Sequence, residues 1–147
     1  MLGYNKKSYV DDVADIINYL SKIRKQQNIS IRGLASSMGV YPNTIEQWLN
    51  PNTNISLNNL VKLGNALGVT FSTSNTRSYD CSTEQLIDLL QKEKIYQELT
   101  TRDLAEMTGI TQPGVVGILD HRIMPRLNAY LLLADALGVE LEMYYDE

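Results

Sequence analysis

The sequence predicts a mainly α-helical chain in which one helical unit occurs twice and each copy is followed by a short β-strand. The segment that begins at Leu34 recurs at Leu104, an offset of 70 residues. At this offset residues 16–71 align with residues 86–141 without a gap, and sixteen of the 56 aligned residue pairs are identical. Within each copy, apolar residues recur at helical spacing and glycines follow them at positions typical of helix ends. Solenoid repeats are shorter, so the pattern indicates a duplicated domain.

The first repeat begins with a long helix and ends with a strand. Apolar residues at helical spacing mark the helix from Val10 to Ile23, and Ser8 with Asp11 is placed to form a capping box at its start. A later helix carries Leu57 to Leu67 and stops at a glycine. The alternating residues 69–71 that follow predict a strand.

Two short helices are expected between these elements. Ser30 is placed to cap the first of them, and Gly39 ends it because glycine readily adopts a left-handed backbone conformation. Pro42 suits the first position of the next helix, where its missing N–H has no partner to lose. On that helix Ile45 and Trp48 share one face, so we expect both to pack inward.

The second repeat follows the same plan. Thr100 and Thr111 occupy the capping positions, and Gly109 and Gly138 are the stops. The alternating residues 139–145 predict a longer strand. We therefore divide the chain into a first domain at 1–73, a polar linker at 74–82 and a second domain at 83–147.

Composition excludes several classes of function. Cys81 and His121 are the only residues of their kinds, so no internal disulfide and no cluster of His and Cys metal ligands is expected. We expect Cys81 to be a reduced thiol. The sequence has no phosphate-cradling glycine loop and His121 has no obvious nucleophile partner, so we expect no enzyme activity, no catalytic residue and no cofactor. Lacking a long apolar run or a secretory signal, the protein is expected to be cytoplasmic, without a membrane partner.

Charge divides the chain unequally. The net charge is −4, but residues 1–80 sum to +3 and residues 81–147 sum to −7. A protein that binds DNA must place cations against phosphates, so any such contact is expected mainly in the first half.

The second and third helices of each repeat carry a helix-turn-helix pattern. Small Ala35, the turn at Gly39 and the apolar face of the next helix allow two helices to cross closely. This pattern resembles the Cro/C1 (XRE) family of phage repressors over nearly the whole chain, twice, and residues 44–47 resemble the recognition-helix core of that family. The resemblance implies two tandem lambda-repressor-like domains of about five helices each. It also implies a sequence-specific transcription regulator, a phage or mobile-element repressor, that reads operator DNA in the major groove through helix 42–50.

The resemblance also assigns roles to side chains of the first repeat. Asn43, Thr44 and Gln47 are implied to face base edges, and Asn and Gln suit adenine. A second group is implied to contact phosphates or to play a secondary part: Lys22, Arg24, Lys25, Arg32, Tyr41, Glu46, Asn50 and Asn52. Two positions depart from the family pattern, which commonly has Gln where Ile31 and Pro42 stand.

The second repeat has a weaker face for base reading. Its helix 111–119 keeps apolar residues for packing but offers outward only Gln112, Pro113, Val116 and Gly117. The candidate DNA contacts in this repeat are Gln112, Arg122 and Arg126.

The last helix of the second repeat is apolar almost all round, because Leu132 replaces Lys62 of the first. Such a helix is buried, either in its own domain or against a partner. A dimer or partner surface would comprise Tyr130, Leu131, Leu132, Leu141, Met143 and Tyr145.

Two arrangements would give the paired domains that bind two half-sites. In one, the repeats form a pseudo-dimer within the chain, strand 69–71 pairing with 139–143. In the other, which the charge asymmetry favours, the second repeat forms a homodimer that presents two copies of the first. An alternative function is a protein-directed inhibitor or adaptor, such as an antitoxin, antirepressor or anti-CRISPR protein, whose acidic second domain binds a protein while the first domain regulates its own promoter.

Overall fold

The structure is a computed structural model that describes residues 4–9 and 13–146. Its helices are α1 (Val13–Gln26), α2 (Ile31–Met38), α3 (Pro42–Trp48), α4 (Leu57–Ala66), α5 (Thr83–Tyr96), α6 (Thr101–Thr108), α7 (Gln112–Leu119) and α8 (Leu127–Ala136). Its strands are β1 (Tyr4–Tyr9), β2 (Val69–Thr73) and β3 (Leu141–Asp146). The mainly α-helical class is confirmed. Within the described residues each repeat has four helices rather than about five, and the strand expected after the last helix of each is present.

The helix signals in the two repeats are confirmed at most of their predicted positions. The hydroxyl of Ser30 accepts a hydrogen bond from the Gly33 amide at 2.9 Å, and Thr100 and Thr111 cap α6 and α7 in the same way. The stop after α2 is also as expected, since Gly39 has a φ of +70°.

The start of the chain differs from the prediction. Residues 4–9 form β1, in which Ser8 pairs with Glu142, so Ser8 is not the cap of a helix. In the described residues α1 begins at Val13, while Val10 and Asp11 lie outside them. The sequence of β1 is strongly polar, and its conformation follows from pairing with β3 rather than from an apolar pattern of its own.

A three-stranded antiparallel sheet joins the two repeats. Its order is β1-β3-β2, so the strand of the second repeat lies between the N-terminal strand and the strand of the first repeat. Ser72 pairs with Glu142, and these two residues occupy equivalent positions in the two repeats. On either side of it, Phe71 pairs with Met143 and Thr73 pairs with Leu141. Because Leu141 is equivalent to Phe71 and Met143 to Thr73, exchanging the repeats turns each of these pairs into the other. The register is therefore that of a twofold-related pair.

A second contact between the repeats has the same symmetry. The Leu57 amide donates to the Pro125 carbonyl at 2.9 Å, and the Leu127 amide donates to the Ile55 carbonyl at 2.7 Å. Between them lies the antiparallel bridge of Ser56 with Arg126, which again joins equivalent positions of the two repeats. Reciprocal contacts of this kind define a twofold interface. The chain thus contains the intrachain pairing of repeats that was the first of the two predicted arrangements.

The repeats also share one core. Buried residues of both repeats form a single continuous cluster, and α8 packs against α6 of its own repeat and α4 of the first. Tyr130 is fully buried, with its hydroxyl donating to the Leu86 carbonyl at 2.9 Å, and burial raises its pKa well above the ordinary value. Cys81, in the predicted linker, is buried as well, and burial raises the pKa of its thiol. Among the described residues, no helix is long and apolar enough to cross a membrane.

Candidate nucleic-acid interface

Helices α2 and α3 form the helix-turn-helix unit of the first repeat. The Val40 amide donates to the Ala35 carbonyl at 3.0 Å, which closes the turn after Gly39. Helix α3 then begins at Pro42 and buries Ile45 completely, while Trp48 packs half-buried against the core. With one face held in this way, the opposite face of α3 is presented to solvent.

The exposed face of α3 carries two of the three predicted base-reading residues. Asn43 and Gln47 are exposed and lie four positions apart on one side of the helix. Thr44 is half-buried. The structure therefore brings two amide side chains together on the surface that the packing of α3 leaves free, with a hydroxyl beside them.

The residues predicted to contact phosphates lie on α1, on α2, on α3 and in the turns that flank α3. Most of this group is exposed to solvent: Lys22, Lys25, Arg32, Tyr41, Glu46, Asn50 and Asn52. In the loop after α3, the Asn50 side-chain oxygen accepts a hydrogen bond from the Asn52 amide at 2.9 Å. Arg24 differs from this group, because it is half-buried and its Nη1 donates to the Ile29 carbonyl at 2.7 Å. Its guanidinium therefore holds the α1–α2 turn, and a phosphate contact by Arg24 stays a prediction.

The corresponding face of the second repeat has lost its polar side chains. The positions of Asn43, Thr44 and Gln47 are taken by Pro113, Gly114 and Gly117. Gly117 is buried, and a methyl group there would overlap the side chain of Ile123, which folds over the helix from the following loop. Gln112 is exposed, and its Nε2 donates to the Thr101 hydroxyl at 3.2 Å.

The charged side chains near α7 are arranged in pairs. The Arg122 Nε lies 2.7 Å from the Asp120 carboxylate, and the Arg102 Nε lies 3.5 Å from the Glu106 carboxylate. Asp103 caps α6, and hydrogen bonds from the backbone and side chain of Thr100 hold the pKa of its carboxyl below the ordinary value.

Arg126 takes part in the contact between the two repeats. Its Nη1 donates to the Asn54 carbonyl of the first repeat at 2.9 Å, so it links the repeats. Its side chain is also exposed, so a DNA contact by Arg126 stays a prediction.

The predicted dimer or partner surface is largely internal. Tyr130, Leu131, Leu141 and Met143 are buried in the core of the chain, which corrects the expectation that they face a partner. Tyr145 is half-buried, and its hydroxyl accepts a hydrogen bond from Gln27 of the first repeat at 3.0 Å. Of the six residues only Leu132 is exposed, at 45% of its surface. The apolar helix was correctly expected to be buried, but it is covered by its own chain.

Sequence reasoning did not identify the contact between Ser56 and Arg126 or the central pair of Ser72 and Glu142. The signal for them was the repeat offset, since a twofold-related pair places equivalent residues opposite each other on the axis.

The geometry of α2 and α3 defines a helix-turn-helix domain, and comparison with known families supports this assignment. Residues 20–73 match the helix-turn-helix family model HTH_3, which represents domains of the Cro/C1 type. The match runs from the second half of α1 to the end of β2, so the resemblance to that family is confirmed for the first repeat. No curated protein and no solved structure matches the chain.

Proposed function

We propose that the protein is a sequence-specific DNA-binding transcription regulator that reads the major groove through α3. The observation that carries this proposal is the pair of exposed amides, Asn43 and Gln47, on the free face of a helix held by a capped turn. Amides at such positions pair bidentately with adenine edges. Exposed Lys22, Lys25 and Arg32 supply the cations that a DNA backbone requires.

A repressor of phage or mobile-element origin is the particular regulator that we propose. This choice rests on the likeness of residues 44–47 to the recognition-helix core of lambdoid repressors and on the family match of the first repeat. A helix that occupies an operator blocks other proteins from the same groove, and no further catalytic machinery is needed for that effect.

The protein-directed alternative has less support. It rests on the acidity of the second repeat, yet several of those carboxylates already have partners within the chain. Asp120 and Glu106 lie beside arginines, and the Asp103 carboxylate accepts a hydrogen bond from the Thr100 amide at 2.9 Å. Asp88 lies 2.6 Å from the ring nitrogen Nε2 of His121. We therefore prefer the DNA-binding function.

The test is binding to DNA selected from a random pool with the full chain. Once a preferred sequence is obtained, Gln47→Ala should weaken binding to it by about 1 to 3 kcal/mol and leave binding to unrelated DNA nearly unchanged. Asn65→Ala, which removes an exposed amide from α4, is the matched control and should have no effect. Failure to select any sequence, or equal losses on all DNA, would refute the proposal.

A further inference from the structure

We propose that a single chain occupies both half-sites of its operator, and that the two half-sites are unequal. The first repeat reads bases in one half-site, and the second repeat holds the DNA backbone of the other without reading its sequence. This inference rests on the proposed function and adds the number of chains and the form of the DNA site.

The two repeats are related by twofold symmetry. The register centred on Ser72 and Glu142 and the bridge of Ser56 with Arg126 both place equivalent residues opposite each other. Regulators with two equivalent DNA-binding units place their recognition helices in successive turns of the major groove, related by a twofold axis. In this protein both units belong to one chain, so α3 and α7 are presented as a pair without a second copy.

Helix α7 lacks the side chains that we propose read bases on α3. At the three positions equivalent to Asn43, Thr44 and Gln47, the second repeat has two glycines and a proline, none of which carries a side-chain hydrogen-bonding group. The side chain of Ile123 covers Gly117 in addition. Base recognition by hydrogen bonds is therefore confined to one member of the pair, apart from the single amide of Gln112.

The second repeat also has cations at positions equivalent to those of the proposed backbone contacts of the first. Lys92 and Arg102 stand at the positions equivalent to Lys22 and Arg32, and Arg122 at the position equivalent to Asn52. All three are exposed. The carboxylates beside Arg102 and Arg122 are themselves well exposed, and such surface pairs are weak enough to open when a phosphate competes for the arginine. The second repeat thus keeps groups for the backbone while lacking groups for the bases.

The net charge of the second half of the chain does not reveal these cations, because it sums them with carboxylates elsewhere in that half. Part of the negative charge after residue 80 lies elsewhere in the second half of the chain, on Glu84 in the first turn of α5, Asp135 of α8 and Glu140 before β3. A net charge of −7 is consequently compatible with a local set of cations next to α7.

The experiment combines selection from a random pool with footprinting and light scattering of the complex formed by the full chain. We expect one chain per duplex and one invariant half-site. We also expect protection that extends about one helical turn beyond it on one side, over bases that vary freely. Two chains on a palindromic site would overturn the proposal, as would protection limited to the invariant half-site. If no sequence is selected at all, the proposed function fails together with it, whereas the first two outcomes leave that function intact.

Variants separate the contribution of the second repeat. The double variant Arg102→Ala with Arg122→Ala should weaken binding to every DNA sequence and reduce the slope of log K against log salt by about 2, with the selected half-site unchanged. Lys62→Ala with Arg77→Ala removes the same charge from exposed positions outside the helix-turn-helix unit and serves as the control. Equal effects of the two double variants, or no effect of the first, would show that the second repeat does not hold DNA.

Discussion

The two repeats have the same scaffold and different surfaces. Their interiors match closely, since Leu20, Leu34 and Leu63 and the equivalent leucines of the second repeat are all almost fully buried. Their outward faces differ most on α3 and α7, where two amides and a hydroxyl are replaced by proline and glycine. Burial thus constrains the core of a duplicated domain, whereas the exposed face of the recognition helix is free to change its function. The two repeats therefore share the residues that hold the fold and differ at those for which we propose base contacts.

One internal position shows how the two interiors also differ. Gly64 lies in the middle of α4, where alanine would favour the helix by about 1 kcal/mol. A methyl group at this position would overlap the ring of Phe71 in β2. The second repeat has the opposite combination, Ala134 on α8 and the smaller Leu141 in β3. Each repeat therefore matches a helix residue to the size of the strand residue that packs over it.

The largest effect is expected from disturbing that match. Gly64→Ala should lower the free energy of unfolding by on the order of 2 kcal/mol, because the close-packed core cannot absorb the added methyl group without moving Phe71. Urea unfolding of the full chain measures it.

The repeats provide their own compensating change. Adding Phe71→Leu to Gly64→Ala reproduces the pair found in the second repeat and should recover more than half of the loss. If the double variant is no more stable than Gly64→Ala alone, the two residues are not coupled in the way that the comparison implies.

A smaller effect is expected from giving the second repeat the reading groups of the first. The triple variant Pro113→Asn, Gly117→Gln and Ile123→Thr copies residues from the equivalent positions and removes the side chain that covers Gly117. Selection should then return a second invariant half-site, with affinity for the paired site increased by about 1 kcal/mol.

Ile123→Thr alone is the control for this graft, since it opens the face of α7 without adding an amide. Unchanged selection by the triple variant, with the fold intact by circular dichroism, would mean that α7 does not meet base edges.

The smallest effect concerns the caps of α2 and α6. Thr100 and Asp103 form a reciprocal capping box, whereas Ser30 caps α2 without a carboxylate because its partner position is Gly33. The hydrogen bonds from Thr100 lower the pKa of Asp103 in the folded state, so its stabilising contribution is complete above the unfolded pKa and is lost as pH falls through the folded pKa.

Asp103→Ala should therefore destabilise the chain at neutral pH and make little difference in strong acid, where the wild-type carboxyl is protonated too. Unfolding curves of both proteins at the two pH values test this. A difference that persists unchanged in acid would assign the loss to something other than the ionised cap.

Local signals account for the parts of the structure that the sequence could predict. The caps at Ser30 and Thr111 and the stop at Gly39 depend on one turn of chain, and they are confirmed. The strand at Tyr4–Tyr9 could not be found in this way, because its sequence is polar and its partner strand lies near the opposite end of the chain. Similarly, the apolar surface of α8 predicted burial but not which surface covers it. Base reading by Asn43, Thr44 and Gln47 stays a prediction.

Because the twofold-related repeats belong to one chain, their pairing does not depend on the concentration of the protein. Partners on a single polypeptide are not separated by dilution, so the pair exists at any protein concentration at which the chain is folded. Occupancy of a site bound by one such chain rises with the first power of concentration, whereas a dimer assembled from separate chains gives a steeper rise below its dissociation constant. For the single-chain operator complex that we propose, we therefore expect occupancy to rise gradually with protein concentration, without a threshold.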